Sequence, residues 1–161
     1  MSEVTPQLLV DGALPLHPAI SPDGHWVAYT VAPVARTDDH PSSAIWIAAT
    51  DGSSSPRKLT AGTAKDFAPR WAPDSASLFF GSDRVQRGTI QIHRISLDGG
   101  EATTLTTWQS GISGYLPLTD GRLVAVVAAE PPTDEDERRT AERDDAKVWG
   151  VGGVLADLVE R

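Results

Sequence analysis

Cysteine is absent from the 161 residues, which excludes a disulfide framework, a thiolate zinc site and a cysteine nucleophile. Basic residues are in deficit: 14 Lys and Arg stand against 22 Asp and Glu, a formal charge of −8. A chain of that sign repels phosphate backbones, so neither nucleic acid nor an anionic membrane surface is an expected partner. It has no run of about eighteen apolar residues, so no transmembrane helix is expected. Met1-Ser2-Glu3-Val4 opens without a basic segment or a long apolar stretch. No secretory signal is therefore visible, and the expected setting is cytoplasmic. Hydrophobic residues at 40% and charged residues at 22% are nonetheless the proportions of a folded chain.

What the chain has in plenty is punctuation. Fourteen glycines and twelve prolines argue against a bundle of long helices. The punctuation is periodic. Pro18-Ala19-Ile20-Ser21-Pro22-Asp23-Gly24 leads into Trp26-Val27-Ala28-Tyr29-Thr30-Val31, and Pro69-Arg70-Trp71-Ala72-Pro73-Asp74-Ser75 leads into Leu78-Phe79-Phe80. Thr119-Asp120-Gly121-Arg122 leads into Leu123-Val124-Ala125-Val126-Val127, so Asp23, Asp74 and Asp120 are spaced by 51 and 46 residues. A second element shares the period. Ile45-Trp46-Ile47-Ala48-Ala49-Thr50-Asp51-Gly52 is followed by Lys58-Leu59-Thr60, and Ile92-His93-Arg94-Ile95-Ser96-Leu97-Asp98-Gly99-Gly100 by Thr104-Leu105-Thr106.

Each copy has the chemistry of two hairpins. Pro presets φ, Gly accepts a positive φ, and an Asp carboxylate can take main-chain N–H groups two residues on. The flanking runs of Val, Ile, Trp, Tyr and Phe read as strands. Four short strands per unit, repeated every ~40–50 residues, is the arithmetic of propeller blades. The expected fold is all-β: a partial β-propeller of two complete four-stranded blades and an incomplete third. Its divisions are a lead at 1–17, blade 1 at 18–64, blade 2 at 65–110, partial blade 3 at 111–150 and a divergent tail at 151–161. Parity slips around Arg94, where Ile90, Ile92, Ile95 and Leu97 do not alternate, which suggests a bulge. The third unit carries a charged insert over 130–145, where Glu135/Arg139 and Arg138/Glu142 at i,i+4 suit one solvated helical turn. Ala146-Lys147-Val148-Trp149 reads as another strand, and Val154 to Arg161 is compatible with a short C-terminal helix.

The Ser-Pro-Asp-Gly-x-x-Val-Ala-Tyr and Ile-Trp-x-Ala-x-Thr-Asp-Gly elements resemble blades of the TolB-like, PD40-type propeller. More narrowly, roughly residues 8 to 150 resemble the N-terminal propeller region of S9, or prolyl oligopeptidase-family, serine peptidases of the acylaminoacyl-peptidase type. Three features carry that likeness: the early blade at Pro18, the Ala68 to Asp74 stretch followed by Gly81-Ser82-Asp83-Arg84 and Leu97 to Ala102, and the charged insert running into Asp145 to Gly150. The resemblance implies a propeller that caps a Ser-Asp-His hydrolase domain and admits only short peptides. This chain would supply at most three blades and no hydrolase domain. Peptides, or the hydrolase and propeller portions it lacks, are the implied partners. A stand-alone TolB-like interaction module and a non-functional remnant of a peptidase are the competing readings. Bare blade faces and edges at both ends predict either self-association or a marginally stable monomer that binds ANS.

No residue is nominated as catalytic, cofactor-binding or metal-binding. Gly111-Ile112-Ser113-Gly114-Tyr115 approaches a nucleophile elbow but lacks the final glycine in register, and it is read as a loop entering blade 3. His17, His25, His40 and His93 show no paired-ligand spacing. His93, opposite in parity to Ile92, is expected to be half exposed. Asp134, Glu135, Asp136, Glu137, Asp144 and Asp145 lack the EF-hand order and read as a solvated loop. Trp26, Trp46, Trp71, Trp108 and Trp149 are expected in core or rim packing rather than as a stacking platform for a ligand.

Overall fold

In the computed structural model, residues 12–35, 39–127 and 155–158 are described. All the regular structure among them is β-strand, in three antiparallel sheets that follow one another along the chain. Blade 1 is β1 (Ala13–Ile20), β2 (Trp26–Pro33), β3 (Ala44–Ala49) and β4 (Arg57–Lys58). Blade 2 is β5 (Asp66–Trp71), β6 (Ser77–Gln86), β7 (Thr89–Ser96) and β8 (Thr103–Thr104). Blade 3 is β9 (Ile112–Pro117), β10 (Leu123–Val127) and β11 (Leu155–Leu158), with β10 in the middle. The opening strand of blade 1 starts at Ala13, within the expected lead. The charged insert and Ala146 to Trp149 lie outside the described residues.

The repeated aspartates make the turns as their chemistry requires. Asp23 Oδ1 accepts from the N–H of His25 at 3.0 Å, Asp74 from Ala76 at 2.9 Å and Asp120 from Arg122 at 3.1 Å. Asp51 repeats the bond with Ser53 at 2.9 Å in the β3–β4 turn. The residue after each β-hairpin Asp sits in the left-handed region: Gly24 at φ 77°, Ser75 at 58° and Gly121 at 88°. The Leu-Thr element has an equally local cause. Leu59 N–H donates to Ile45 O at 2.8 Å, while the Thr60 hydroxyl oxygen accepts the Ile45 N–H at 3.0 Å. In blade 2, Leu105 and Thr106 make the same two bonds to Ile92, at 2.8 and 2.9 Å. A two-residue outer strand is thereby extended by a side chain. Thr60→Val and Thr106→Val keep the shape but orphan a buried N–H, and each should cost about 1–3 kcal/mol in a denaturant titration. Thr103→Val, at an exposed position of β8, should shift the midpoint far less.

Each first strand is bulged, at equivalent positions in blades 1 and 2 and farther from the hairpin turn in blade 3. Pairing slips between Leu16 and Ala19 in β1, between Phe67 and Arg70 in β5, and beside Ser113 in β9. His17 (φ 52°) and Ala68 (φ 50°) occupy equivalent bulge positions, each just before a proline. The bulge frees the main chain of Ala68 to bond outside its own sheet. Its N–H donates to Thr30 Oγ1 of blade 1 at 3.1 Å, and its carbonyl accepts from the Tyr115 hydroxyl of blade 3. Trp71 Nε1 reaches Ala19 O of blade 1 at 2.9 Å.

Two apolar layers fill the gaps between sheets. Ala28, Ile45, Ile47 and Leu59 of blade 1 meet Trp71, Leu78, Phe80 and Ile95 of blade 2. Ala72, Phe79 and Ile92 of blade 2 meet Ile112, Leu123, Ala125 and Val127 of blade 3. β1 touches β5 and β5 touches β9, so the first strands stand side by side as in a propeller.

Two expectations are corrected. Leu155–Leu158 is a strand, not part of a helix, paired from Leu123↔Leu158 to Val126↔Leu155. An eight-residue helix is marginal on its own, whereas strand pairing satisfies the free edge of β10. No bulge lies at Arg94, since β6 and β7 pair without a break from Ser77↔Ser96 to Ser82↔Gln91. Alternation fails there because β7 is covered on both faces, and a strand sandwiched between blades has no polar side to display.

Candidate functional site

The hydroxyl that came nearest to a nucleophile is structural. Ser113 lies in β9 rather than in a loop, and its Oγ donates to Val126 O across the bulge at 3.0 Å. The strand runs on to Pro117 without turning into a helix, so the elbow geometry is not formed. Three histidines are exposed and on separate elements: His17 in β1, His25 in the β1–β2 turn and His40 before β3. His93 is not half exposed but fully buried, stacked on Phe80 with centroids 5.6 Å apart. Among the described residues no group of three or more His, Cys, Asp or Glu side chains could hold a metal ion. Trp71 is buried between blades 1 and 2, Trp26 packs beside it, and Trp108 packs against the second layer. Trp149 and the acids of the insert lie outside the described residues.

Beside His93 is a polar joint that sequence inspection did not find. Asp66, 1% exposed, accepts from Arg84 Nη2 on both oxygens at 2.9 Å and from Ser82 Oγ at 2.6 Å. The Arg84 guanidinium lies 5.0 Å over the Phe80 ring. Its neighbour Asp83 accepts the N–H groups of Lys65 at 2.9 Å and Gly88 at 3.2 Å, and pairs with Arg87 at 3.4 Å. Burial works to raise the Asp83 pKa, but these donors outweigh it and the carboxyl stays below the ordinary range. The Gly81-Ser82-Asp83-Arg84 stretch was legible as a motif; its partner Asp66 is eighteen residues away in sequence. With both charges mutually consumed, the joint fastens strands rather than performing acid–base chemistry.

The place with free chemistry is a cleft between β5 and β9, lined by Phe67, Ala68, Arg70, Ile90, Ile112 and Tyr115. It sits where first strands of adjacent blades meet, opened by the two bulges. Lys65 Nζ stands 5.2 Å over the Phe67 ring, and the His17 ring is 6.5 Å from it. Tyr115 is held with its hydroxyl donating to Ala68 O and Phe79 O, and burial pushes its pKa well up. Arg70 spends one N–H on Pro69 O at 3.1 Å. Such a cleft can lodge an apolar side chain and offer cationic donors to a carbonyl or carboxylate. It pairs no nucleophile with a base.

No family model matches the chain. Two curated relatives do, and both are peptidases. The peptidase YuxL of Bacillus subtilis is 37% identical over 85% of this chain, and the match takes up 21% of YuxL. Dipeptidyl-peptidase 5 of Porphyromonas endodontalis is 28% identical over 98% of this chain and 22% of its own length. The chain thus spans about a fifth of the relatives it matches. Among solved structures, a puromycin-hydrolyzing peptidase of Mycobacterium tuberculosis superposes with a TM-score of 0.56 at 25% identity, over 73% of this chain and 19% of that one. TolB of Acinetobacter baumannii gives 0.55 at 25% identity, over 71% and 26%. The AtxE2 isopeptidase gives 0.65 over 98% of this chain and 29% of that one; at 19% identity it speaks for the fold alone. The likeness to propeller-bearing S9 peptidases, read first from the repeats, is what these matches show.

Proposed function

We propose that this chain forms the opening blades of the propeller of an S9-type serine peptidase of the acylaminoacyl-peptidase kind, and that it governs peptide entry rather than bond cleavage. The observation that carries this is the match to YuxL: a segment with no elbow of its own aligns with one fifth of a peptidase. The cleft at Phe67, Arg70 and Tyr115 supports it, because it lies along the first strands, which line the central channel of a closed propeller. A TolB-like interaction module is the second reading, favoured by the equal identity of the A. baumannii protein.

The test is a graft of the chain into YuxL in place of the matching stretch. Assayed beside YuxL on one panel of short peptides, the graft should match YuxL's cleavage and leave a long unfolded protein intact. A graft that degrades the long chain as fast as the short one removes the gating role and favours the module. The chain alone should be silent: a serine-reactive fluorophosphonate should leave its mass unchanged. Stoichiometric labelling abolished by Ser113→Ala would place a nucleophile in this chain and overturn the division of labour.

A further inference from the structure

Three arginines of the blades hold an aspartate each: Arg84 holds Asp66, Arg87 holds Asp83 and Arg122 holds Asp120. Arg70 holds none. Among the described residues its hydrogen bond runs from Nη1 to the carbonyl of its own neighbour Pro69, at 3.1 Å. The rest of its fork of N–H donors is left for the pair of parallel bonds that a carboxylate takes. Half-buried, Arg70 lines the cleft between β5 and β9. A second cation stands close by. Lys65 Nζ lies 5.2 Å over the Phe67 ring, also without a carboxylate partner among the described residues. In a chain of formal charge −8, unpaired cations at one cleft are a local reversal of sign.

The remaining walls are apolar and set in place. Phe67, Ile90 and Ile112 line the cleft beside Tyr115. Gly81, in the middle of β6, gives the Phe67 ring its seat: a Cβ there would come within 3.0 Å of Phe67 Cζ. At Gly111 (φ 78°) a Cβ would meet the main chain of Ile90 at 3.2 Å, so the entry to β9 closes on β7 through glycine. Glycine inside a strand weakens it and marks a close approach, here by the cleft's own wall. Tyr115 adds surface but no donor, since its hydroxyl is committed to Ala68 O and Phe79 O. The cleft volume, about 220 Å³, is below the roughly 300–1,000 Å³ of pockets for drug-sized ligands. It has room for one residue of a peptide.

We propose that this cleft binds the C-terminal residue of a short peptide, with Arg70 taking the free carboxylate and Phe67, Ile90 and Ile112 the apolar side chain. The choice of a terminus follows from the pairing of the two features. A C-terminal residue carries a carboxylate and a side chain on one Cα, as the cleft sets a cation beside apolar walls. An aspartate or glutamate brings the charge without the apolar body. An internal apolar residue brings the body without the charge. That the ligand is a peptide rests on the peptidase reading; the preference for a free acid rests on Arg70 and its walls.

The test is binding rather than cleavage. Amide proton–nitrogen correlation spectra of the full chain are followed during titration with three peptides: N-acetyl-Ala-Ala-Leu as the free acid, its C-terminal amide, and the amide with Asp in place of Leu. The free acid should shift the resonances of Phe67, Arg70, Ile112 and Tyr115. It should bind at least roughly tenfold more tightly than either amide. Arg70→Met should weaken the acid to the level of the Leu amide. Binding of that amide, unchanged in the variant, shows that the apolar walls are still in place. Arg57→Met, at an exposed position of β4, should alter neither affinity. Equal binding of acid and amide by the wild-type chain would overturn the proposal, whether or not Arg70→Met folds. Shifts confined to residues outside the cleft, or an Asp amide bound as tightly as the free acid, would do the same. The result is separable from that of the graft. A graft that degrades long chains while the acid preference holds removes the gating role alone, and a gating graft without acid preference removes this subsite alone.

Discussion

Arg84→Met should lower the stability of the fold by about 3 kcal/mol in a urea titration, a large share of the ~5–15 kcal/mol typical of a domain. The reason lies in what the variant leaves behind. The Asp66 carboxylate is 1% exposed, and both its oxygens face Arg84 Nη2 at 2.9 Å. Without the guanidinium it keeps a single hydroxyl partner, Ser82 Oγ at 2.6 Å, for a full negative charge out of water. Breaking one partner of a buried pair costs about 3–5 kcal/mol, and the partial exposure of Arg84, at 29%, puts this pair at the low end. The damage spreads because the main chain of Asp66 is also a joint between blades. Its N–H donates to Ser43 O and its carbonyl accepts Ser43 Oγ at 2.7 Å. The double variant Asp66→Asn, Arg84→Met should lose clearly less than Arg84→Met alone, since the orphaned charge is gone. Arg122→Met, which removes a pair exposed on both sides, should leave the midpoint where it was. An Arg84→Met midpoint equal to wild type would mean that water reaches Asp66 and the joint is not dry.

What sequence inspection could reach here was set by how local each cause is. Asp23, Asp74 and Asp120 act on an N–H two residues away, so turn chemistry and period together located all three hairpins. Leu59-Thr60 and Leu105-Thr106 showed as a repeat, although their purpose, satisfying Ile45 and Ile92 across the sheet, needed the pairing. Nothing local marks the bulges at His17 and Ala68: a proline follows each, but the freed main-chain groups matter only because Thr30 and Tyr115 stand opposite on other blades. The parity error at β7 has the same root. Period-two reasoning assumes one wet face, and stacking removes it. Leu155–Leu158 shows the limit from the other side, where a stretch that suits a helix is taken up by the open edge of β10. The candidate cleft combines these non-local effects, which is why Phe67, Arg70 and Tyr115 were not singled out while Ser113, beside them, was.

His93 supplies the second large effect, in acid. The ring is fully buried against Phe80, with Thr104 Oγ1 3.2 Å from Nδ1. Burial first, and then the Arg84 charge, push its pKa from the ordinary 6.5 down to about 4, against the opposing pull of Asp66. A histidine depressed in the fold is neutral there and takes up its proton on unfolding. Its contribution is therefore intact above pH 6.5 and is lost progressively as pH falls toward 4, where both states are protonated. The loss across that window should be on the order of 2 kcal/mol. The carboxylates with lowered values, Asp23, Asp51, Asp83 and Asp120, act in a different range: their stabilisation is present above 3.8 and disappears only below it. His93→Phe separates the two. Phenylalanine keeps the stack on Phe80 and matches the aromatic Trp46 at the equivalent site of blade 1. It gives up the Thr104 contact, at an exposed outer strand. Urea midpoints of the variant should be flat from pH 6.5 to 4.5 while those of the wild type decline, with the curves falling together below pH 4. If the variant declined as steeply as the wild type, the proton taken up on unfolding would belong to another group, and a neutral His93 would have no part in the acid sensitivity of the blade interface.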